Sequence, residues 1–315
     1  MTQQTFLRWA KDKGYRVGFA DIGLLDFVKK KLGRRKAEGE FAPGFFEENL
    51  DIFHTPDERA LPRVKSILIV AVPAPAHILT FESDDKSMET VLPPTYVRYR
   101  PLFGQVKDEI RNEVLDGKPG IEILEAPLKS LAVVSGLSLY GRNNITYIAE
   151  IGSYYQLAGY VLDYPFEGDL CPAAPAASVE RKLALCRTCT ACLKSCPTGA
   201  IAEDRFLLHA ERCYTLHSES PRPFPENMNP PSPDCLIGCM KCQEVCPANK
   251  GRLKKVQASV SFTAEETAAL VKEGTIRNVR LEKSIQSKIE ALGLSERVSL
   301  YRRNLRRLIK IRSRR

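Results

Sequence analysis

The chain of 315 residues contains few histidines and no long apolar segment. Its four histidines show none of the spacings found in zinc enzymes, so they are not predicted to be metal ligands. The longest aliphatic run, 67–72, is far too short to cross a bilayer, and residues 1–16 contain no apolar stretch of secretory-signal length. We therefore expect a cytoplasmic protein that does not associate with a membrane.

Cysteine is absent from most of the chain, because all ten cysteines lie between Cys171 and Cys246. Such dense spacing suits metal coordination better than a disulfide framework distributed over the fold, and it implies a reducing compartment. The chain as a whole is 43% hydrophobic, which is enough to fill the core of one large or two ordinary domains.

The pattern of apolar residues predicts an α+β fold. Residues 1–60 are predicted to be mostly helical, whereas the β-branched run at 66–75 indicates a buried strand. Apolar residues repeat every four positions between Gly104 and Gly117, which predicts a helix. Short apolar runs separated by glycines over 130–164 favour strands around a ligand crevice, although ordinary turns would give the same pattern.

Changes in composition predict three domains. Residues 1–168 are predicted to form an α/β domain, and 169–250 a cysteine-rich domain with many prolines and short polar links. Residues 251–315 are predicted to form a helical tail, in which Thr263 and Glu266 make a capping box at the start of a helix.

The end of the tail is strongly basic, and the chain as a whole carries a net charge of +9. We expect the basic side chains to be displayed on a helix, where they bind the phosphates of RNA, or else to form an ordinary solvated face. The cationic residues are Arg302, Arg303, Arg306, Arg307, Lys310, Arg312, Arg314 and Arg315.

Two cysteine runs carry the strongest functional signal. The first has the spacing of bacterial ferredoxins, in which three close thiolates bind one [4Fe–4S] cluster and the fourth binds the other. It consists of Cys186, Cys189, Cys192 and Cys196, followed by Pro197. The second repeats this ending with Cys239, Cys242, Cys246 and Pro247, but Cys235 stands one position too early to complete it. Structural zinc is a weaker interpretation, because zinc does not require two interleaved Cys-x3-Cys-Pro endings.

Cys235 and the isolated Cys213 compete for the place of the missing ligand. We favour Cys213, because ferredoxins with two clusters exchange the last cysteine of each run. Cys171 and Cys235 are then spare thiols. Cluster A is predicted to take Cys186, Cys189, Cys192 and Cys246, and cluster B is predicted to take Cys196, Cys213, Cys239 and Cys242.

Four segments resemble the epoxyqueuosine reductases, a family of corrinoid-dependent enzymes of tRNA modification, and more distantly the reductive dehalogenases. They are CRTCTACLKSCPTGAI (186–201), HAERC (209–213), GCMKCQEVCPAN (238–249) and GLSLYGRNNITYIAEIGSYYQLAGYVLD (136–163). The resemblance implies a nitroreductase-like α/β domain that binds cobalamin in front of a ferredoxin-like domain with two [4Fe–4S] clusters. It also implies that Cys213 is a ligand, because the family has a lone ligating cysteine there. The residues that match the cobalamin pocket are Gly141, Arg142, Asn143, Asn144, Gly152, Ser153 and Tyr154.

The chain departs from the family at the proton donor. The family has an aspartate three residues before a proline, but Leu124 stands at that distance before Pro127. Glu125 and Glu122 are the nearest acids, and we take Glu125 as the candidate catalytic residue. The long helical extension of the family is also reduced to the tail after Gly251.

The sequence therefore predicts an iron–sulfur oxidoreductase. Reduced ferredoxin or flavodoxin is expected to load cluster B, and cluster A is expected to pass electrons to the corrinoid and the substrate. The substrate is epoxyqueuosine in tRNA, another corrinoid protein, or a compound not yet identified. The alternative is a corrinoid-free electron-transfer protein that reduces a partner protein.

Overall fold

The computed structural model describes residues 2–53, 63–83, 87–166, 181–226, 228, 234–272, 274–294 and 298–312. Cys171, Arg314 and Arg315 lie outside the described residues. The helices of the described part are α1 Gln3–Asp12, α2 Gly23–Ala37, α3 Phe45–Asn49, α4 Tyr99–Glu113, α5 Leu128–Val134, α6 Ala191–Ser195, α7 Tyr214–Glu219, α8 Lys241–Glu244, α9 Ala264–Val271, α10 Val279–Ala291 and α11 Val298–Arg312. Its strands are β1 Arg16–Asp21, β2 Ser66–Pro73, β3 Ala76–Glu82, β4 Ser87–Leu92, β5 Ile121–Ile123, β6 Leu139–Tyr140, β7 Thr146–Tyr147, β8 Tyr155–Leu162 and β9 Lys255–Gln257.

A four-stranded sheet forms the centre of the N-terminal half, with strand order β1-β2-β8-β5 and antiparallel neighbours throughout. Strand β2 is buried from Ser66 to Ala71, which confirms the buried strand predicted from its β-branched run. Its alternate side chains enter two different cores. Ile67 and Ile69 pack towards α2 and α5, whereas Leu68 and Val70 pack towards α1 and α4.

Two elements of this half differ from the sequence prediction. Residues 16–21 form an edge strand inside a segment predicted to be mostly helical, and 128–134 form a helix where strands were expected. Both stretches are short, so their periodicity is weak and tertiary packing determines their conformation. The helix predicted between Gly104 and Gly117 is present as α4, but it begins five residues earlier, at Tyr99.

A second sheet joins the N-terminal half to the tail. Strands β3 and β4 form an antiparallel hairpin, and β9 pairs in parallel with β3. The apolar side of this sheet packs against α9, α10 and α11, with Leu79, Leu92 and Leu305 in the shared core. The predicted capping box is present, because Thr263 Oγ1 accepts from the backbone N–H of Glu266 and Glu266 accepts from that of Thr263.

The arginines of α11 are not displayed as predicted, because several of them donate hydrogen bonds to backbone carbonyls of this chain. Arg302 donates to Leu270 and Lys272, and Arg312 donates to Glu89. Arg303 donates to residues 217, 218, 220 and 222, and its guanidinium lies 4.6 Å from the centre of the Phe224 ring. The bonds of Arg303 attach α11 to the cysteine-rich segment. The expected free array of cations is therefore wrong for Arg302, Arg303 and Arg312. Within the described residues, no helix is both long and apolar enough to cross a membrane.

Candidate functional site

The eight cysteines predicted to bind clusters fall into two groups of electrostatic neighbours. The thiolate charges of Cys246 and Cys189 raise the pKa of Cys186. Those of Cys186, Cys246 and Cys189 raise the pKa of Cys192. Likewise the charge of Cys196 raises the pKa of Cys213, and the charges of Cys213 and Cys196 raise the pKa of Cys239. Burial is the main influence on the pKa of Cys242, and the charges of Cys239, Cys213 and Cys192 also raise it. Apart from this link between Cys192 and Cys242, the neighbours belong to the same predicted set, so the grouping is compatible with the ligands predicted for clusters A and B.

The environment of these thiols fits metal ligation. Burial raises the pKa of Cys186, Cys192, Cys213 and Cys242, and it raises that of Cys239 to about 11. A buried thiol ionises at neutral pH when a cation such as iron stabilises the thiolate. Burial also acts to raise the pKa of Cys196, but bonds from Thr198 and Ala200 outweigh it and lower the pKa. In the described residues, no three cysteine, histidine or acidic side chains are close enough to bind one metal ion together. A [4Fe–4S] cluster does not need such a group, because each of its cysteines binds a different iron atom.

Short helices orient the thiols of both runs. Helix α6 carries Cys192 and helix α8 carries Cys242, and the two helices pack against each other. Each helix ends just before the last cysteine of its run, Cys196 or Cys246, where the following proline cannot continue it.

Cys235 lies beside this arrangement in an extended segment. It forms a parallel bridge with Val91 of β4, and it packs against Tyr154 and Met240. Burial and the charge of Cys239 raise its pKa to about 12. The structure therefore gives Cys235 a position in backbone pairing and apolar packing close to Cys239.

The turn between β6 and β7 contacts both cysteine groups. The guanidinium of Arg142 donates to the carbonyl oxygens of Cys186 (2.6 Å) and Cys189 (3.2 Å). The side-chain amide of the buried Asn143 donates to the carbonyl of Cys242 (3.4 Å) and to the hydroxyl of Tyr147 (2.9 Å). Arg142 and Asn143, predicted to bind cobalamin, thus hold the loops that carry the predicted cluster ligands.

A second contact joins the start of β8 to the end of the second cysteine run. The backbone N–H of Ser153 donates to Asn249 Oδ1 (2.9 Å), and Ser153 Oγ donates to Gln243 Oε1 (2.8 Å). Gly152 adopts a left-handed φ of 67°, and a Cβ at this position would lie 2.3 Å from Asn249 Oδ1. The sequence prediction missed Gln243 and Asn249, although their place within the second cysteine run was an available signal.

A cavity of about 1000 Å³ lies beside the predicted cluster B cysteines. Of the seven residues predicted to bind cobalamin, Asn143, Asn144 and Ser153 line it. Helices α2, α3 and α4 also contribute to its lining, with Lys31, Phe45 and Tyr99. The four cysteines that line the cavity are Cys196, Cys213, Cys239 and Cys242.

Several polar groups line the cavity close to Cys213. Lys129 donates to the carbonyl oxygen of Asn144 (3.2 Å). Desolvation in the cavity wall lowers the pKa of Lys129, although the charges of Cys213 and Glu219 oppose this effect. Tyr96 donates to the carboxylate of Glu219, and burial raises the pKa of Tyr96 well above its ordinary value.

The candidate proton donor Glu125 lies outside this lining. Its side chain is exposed on the loop before α5, and its charge acts on Tyr99. Glu122 points to α4, where it pairs with Lys107 at 3.1 Å. The structure thus brings Lys129 to the cavity wall, and neither glutamate is among the lining residues.

Comparison with known proteins agrees with this architecture. Residues 185–249 match the family model of a 4Fe-4S double cluster binding domain. The epoxyqueuosine reductase of Bacillus subtilis is 26% identical over 265 residues, which cover 79% of this chain and 64% of the relative. That of Staphylococcus aureus is 26% identical over 257 residues, covering 76% and 63%. The chain therefore spans less than two thirds of the length of these relatives.

Solved structures show the same fold. The epoxyqueuosine reductase from Streptococcus thermophilus superposes with a TM-score of 0.68 at 20% identity, covering 96% of this chain and 79% of that one. An epoxyqueuosine reductase solved with an epoxyqueuosine-modified tRNA-Tyr stem loop gives a TM-score of 0.64 at 21% identity, with coverages of 96% and 79%. The chain is therefore a homologue of the epoxyqueuosine reductases, with their fold and with a double [4Fe–4S] cluster binding domain.

Proposed function

We propose that this protein is an iron–sulfur reductase of the epoxyqueuosine reductase type, which delivers single electrons to a substrate bound in the cavity. The observation that carries the proposal is the position of Cys196, Cys213, Cys239 and Cys242 in the wall of that cavity. A redox group held by these four cysteines would face the bound substrate directly. A protein that only passes electrons to a partner has no need of a cavity of about 1000 Å³ beside cluster B. The arrangement therefore favours an enzyme over an electron-transfer protein.

The ligand sets proposed for clusters A and B are those predicted from the sequence. Their support is the grouping of the thiols and the burial that makes isolated thiolates unfavourable. When bound, the clusters supply one-electron redox chemistry. The chain positions them through α6, α8 and the hydrogen bonds of Arg142 and Asn143.

The direction of electron flow proposed here is the reverse of the order expected from the sequence. All four predicted cluster B cysteines line the cavity, and none of the four predicted for cluster A does so. Cluster A is therefore proposed to receive electrons from reduced ferredoxin or flavodoxin, and cluster B to face the substrate.

The cofactor proposed for the cavity is a corrinoid, and the support for it is that three of the predicted corrinoid residues line a cavity of about 1000 Å³, at the upper end of the range for small-molecule sites. A bound corrinoid would supply a low-valent metal centre for reductive chemistry. Asn143, Asn144 and Ser153 are the predicted corrinoid residues that would contact it. Gly141, Arg142, Gly152 and Tyr154 do not line the cavity. For Arg142, Gly152 and Tyr154 we propose a supporting role, because each contacts the cysteine-rich segment.

The proposed substrate is epoxyqueuosine in tRNA, which is supported by the relative solved with a modified stem loop. Reduction of an epoxide to an alkene removes its oxygen as water and consumes two electrons and two protons. Lys129 is proposed to donate a proton in the cavity, since it lines the wall and its lowered pKa makes it a stronger acid than an ordinary lysine.

Anaerobic purification followed by a single-turnover assay tests the proposed function. The protein should contain about eight iron and eight sulfide per chain. With cobalamin and a chemical reductant, it should convert an epoxyqueuosine-containing stem loop to the queuosine form, detected by mass spectrometry of the released nucleosides. Full cluster content without conversion, together with no retention of cobalamin in equilibrium dialysis, would support the electron-transfer protein instead.

A further inference from the structure

Exposed basic residues lie next to the predicted cluster A ligands, whereas the cavity adjoins the predicted cluster B ligands. Arg187 is exposed in the turn between Cys186 and Cys189, and Lys194 is exposed on α6 beside Cys192. Lys250 is exposed just after the turn that follows Cys246. Val245, which precedes Cys246, is 43% exposed. We call Arg187, Lys194, Val245 and Lys250 the cluster A face.

The cations of this face have no ionic partner in the part of the chain that the structure describes. The side chains of Arg187, Lys194 and Lys250 make no hydrogen bond or ion pair with any residue that the structure describes. The neighbouring acid Glu244 lies 3.8 Å from Lys241, which Asp234 also contacts at 2.8 Å, so these two acids offset part of the positive charge nearby. By contrast, Arg302 and Arg303 of α11 are fully occupied by backbone carbonyls. The face therefore combines one exposed apolar side chain with three exposed cations that have no partner among the described residues.

We propose that the cluster A face docks a small acidic protein that carries single electrons. The proposal rests on the proposed function, since it requires a cluster at the A cysteines. Unpaired cations steer an acidic partner into a productive encounter and raise its association rate. The exposed Val245 offers an apolar contact to such a partner.

The position of the face favours an electron carrier over a nucleic acid. Electron tunnelling becomes exponentially slower with distance. A carrier that contacts the turns holding cluster A would therefore transfer its electron faster. An RNA substrate gains nothing there, because its reactive group must reach the cavity beside the cluster B cysteines. Each docking event would oxidise the carrier by one electron and reduce cluster A by one electron, with no bond made or broken. Two events would supply the two electrons of the proposed reduction.

Charge reversal tests the proposal on the anaerobic protein with its clusters in place. The test variant combines Arg187→Glu, Lys194→Glu and Lys250→Glu. The matched control combines Lys30→Glu, Lys118→Glu and Lys283→Glu, three exposed lysines remote in sequence from the cysteines. Reduction of each variant by a prereduced acidic plant-type [2Fe–2S] ferredoxin is followed by stopped flow at increasing ionic strength.

The test variant should be reduced at least tenfold more slowly than the wild type at low ionic strength, and the difference should vanish at high salt. The control should match the wild type within a factor of about two, and all three proteins should be reduced equally by photoreduced 5-deazariboflavin, which is uncharged.

Equal slowing of the test and control variants would overturn the docking proposal, while intact clusters would leave the proposed function standing. Loss of tRNA stem-loop binding by the test variant, with ferredoxin reduction unchanged, would identify the face as a nucleic-acid surface and would equally overturn the proposal. Absence of iron and sulfide in the wild type would overturn both this proposal and the proposed function.

Discussion

Arg142 and Asn143 are adjacent in the chain, yet their side chains hold the loops of different cysteine groups. The guanidinium of Arg142 donates to the carbonyl of Cys186 across 2.6 Å, and the amide of Asn143 donates to that of Cys242 across 3.4 Å. One turn of the N-terminal half therefore fixes both predicted clusters relative to each other and to the cavity. The charge of Arg142 acts on Cys186, a predicted ligand of cluster A.

Replacement of Arg142 by methionine should lower the reduction potential of one cluster. A nearby cation stabilises the more negative reduced state, so its loss should shift the reduction equilibrium of cluster A about tenfold, or about 59 mV. Arg142→Lys should restore much of the potential, and Arg111→Met on the exposed side of α4 should change nothing. Redox titration followed by electron paramagnetic resonance measures both clusters. An equal shift of the two potentials would contradict the role assigned to Arg142.

Cys213→Ala and Cys235→Ala should differ in iron content. Loss of a ligand from cluster B should remove about half of the iron and sulfide, whereas Cys235 is assigned to packing and should leave both clusters in place. Iron and sulfide analysis of anaerobically purified protein measures the difference. If Cys235→Ala loses a cluster and Cys213→Ala does not, the local spacing of the second run supplies the ligand.

Gly152→Ala should destabilise the protein more than Gly251→Ala. Both glycines adopt left-handed φ angles, 67° and 72°, so each substitution strains the backbone by about 1 kcal/mol. The new methyl group at position 152 also meets Asn249 Oδ1, whereas nothing lies within 4 Å at position 251. We expect an additional loss of about 2 kcal/mol in the free energy of unfolding for Gly152→Ala. Urea denaturation measures both variants, and equal losses would mean that Asn249 moves aside at no cost.

Glu266 should contribute stability that disappears in acid. Its carboxylate is buried and accepts hydrogen bonds from Lys288 (2.6 Å) and Ser284 (2.7 Å). Burial acts to raise the pKa of Glu266, but these bonds outweigh it, so the pKa in the folded state lies below the ordinary value of 4.5. The stabilisation is therefore complete above pH 4.5 and is lost as the pH falls through the lower folded value.

Glu266→Gln should accordingly cost about 2 kcal/mol at pH 7, and this difference from the wild type should shrink as the pH falls below 4.5. The exposed neighbour Glu265 provides the control, since Glu265→Gln should cost little at either pH. Denaturation curves at several pH values give both comparisons. A difference that is independent of pH would show that the carboxylate charge is not the source of the stability.

Lys129→Met should lower single-turnover reduction of the substrate by at least about a hundredfold if its ammonium group donates a proton. Because the protein lowers the pKa of Lys129, the wild-type rate should fall as the pH rises through a value below 10.5. In Lys129→Met, the fall in rate at high pH should be absent from the pH–rate profile, and the iron content should match that of the wild type. Lys31→Met removes another cation of the cavity wall, and it should leave the pH profile unchanged. The same high-pH limb in Lys129→Met would assign the titration to another group.

The spacing of the cysteines determined the chemistry of this protein, because cluster ligation imposes a nearly fixed local pattern on the chain. The β-branched run at 66–75 likewise sufficed to predict a buried strand, and Thr263 with Glu266 sufficed to predict a helix start. Such features depend on neighbouring residues alone. They can therefore be read without knowing the rest of the fold.

Tertiary structure alone decided which cysteines line the cavity and what the basic residues contact. The order of clusters expected from the sequence is the reverse of the proposed one, because spacing assigns ligands to a cluster but does not reveal which cluster adjoins the cavity. It also led to displayed arginines on α11, because the carbonyls that accept from Arg303 lie more than eighty residues away in the chain. Contacts between distant segments form only when the sheets and helices pack, so composition cannot predict them.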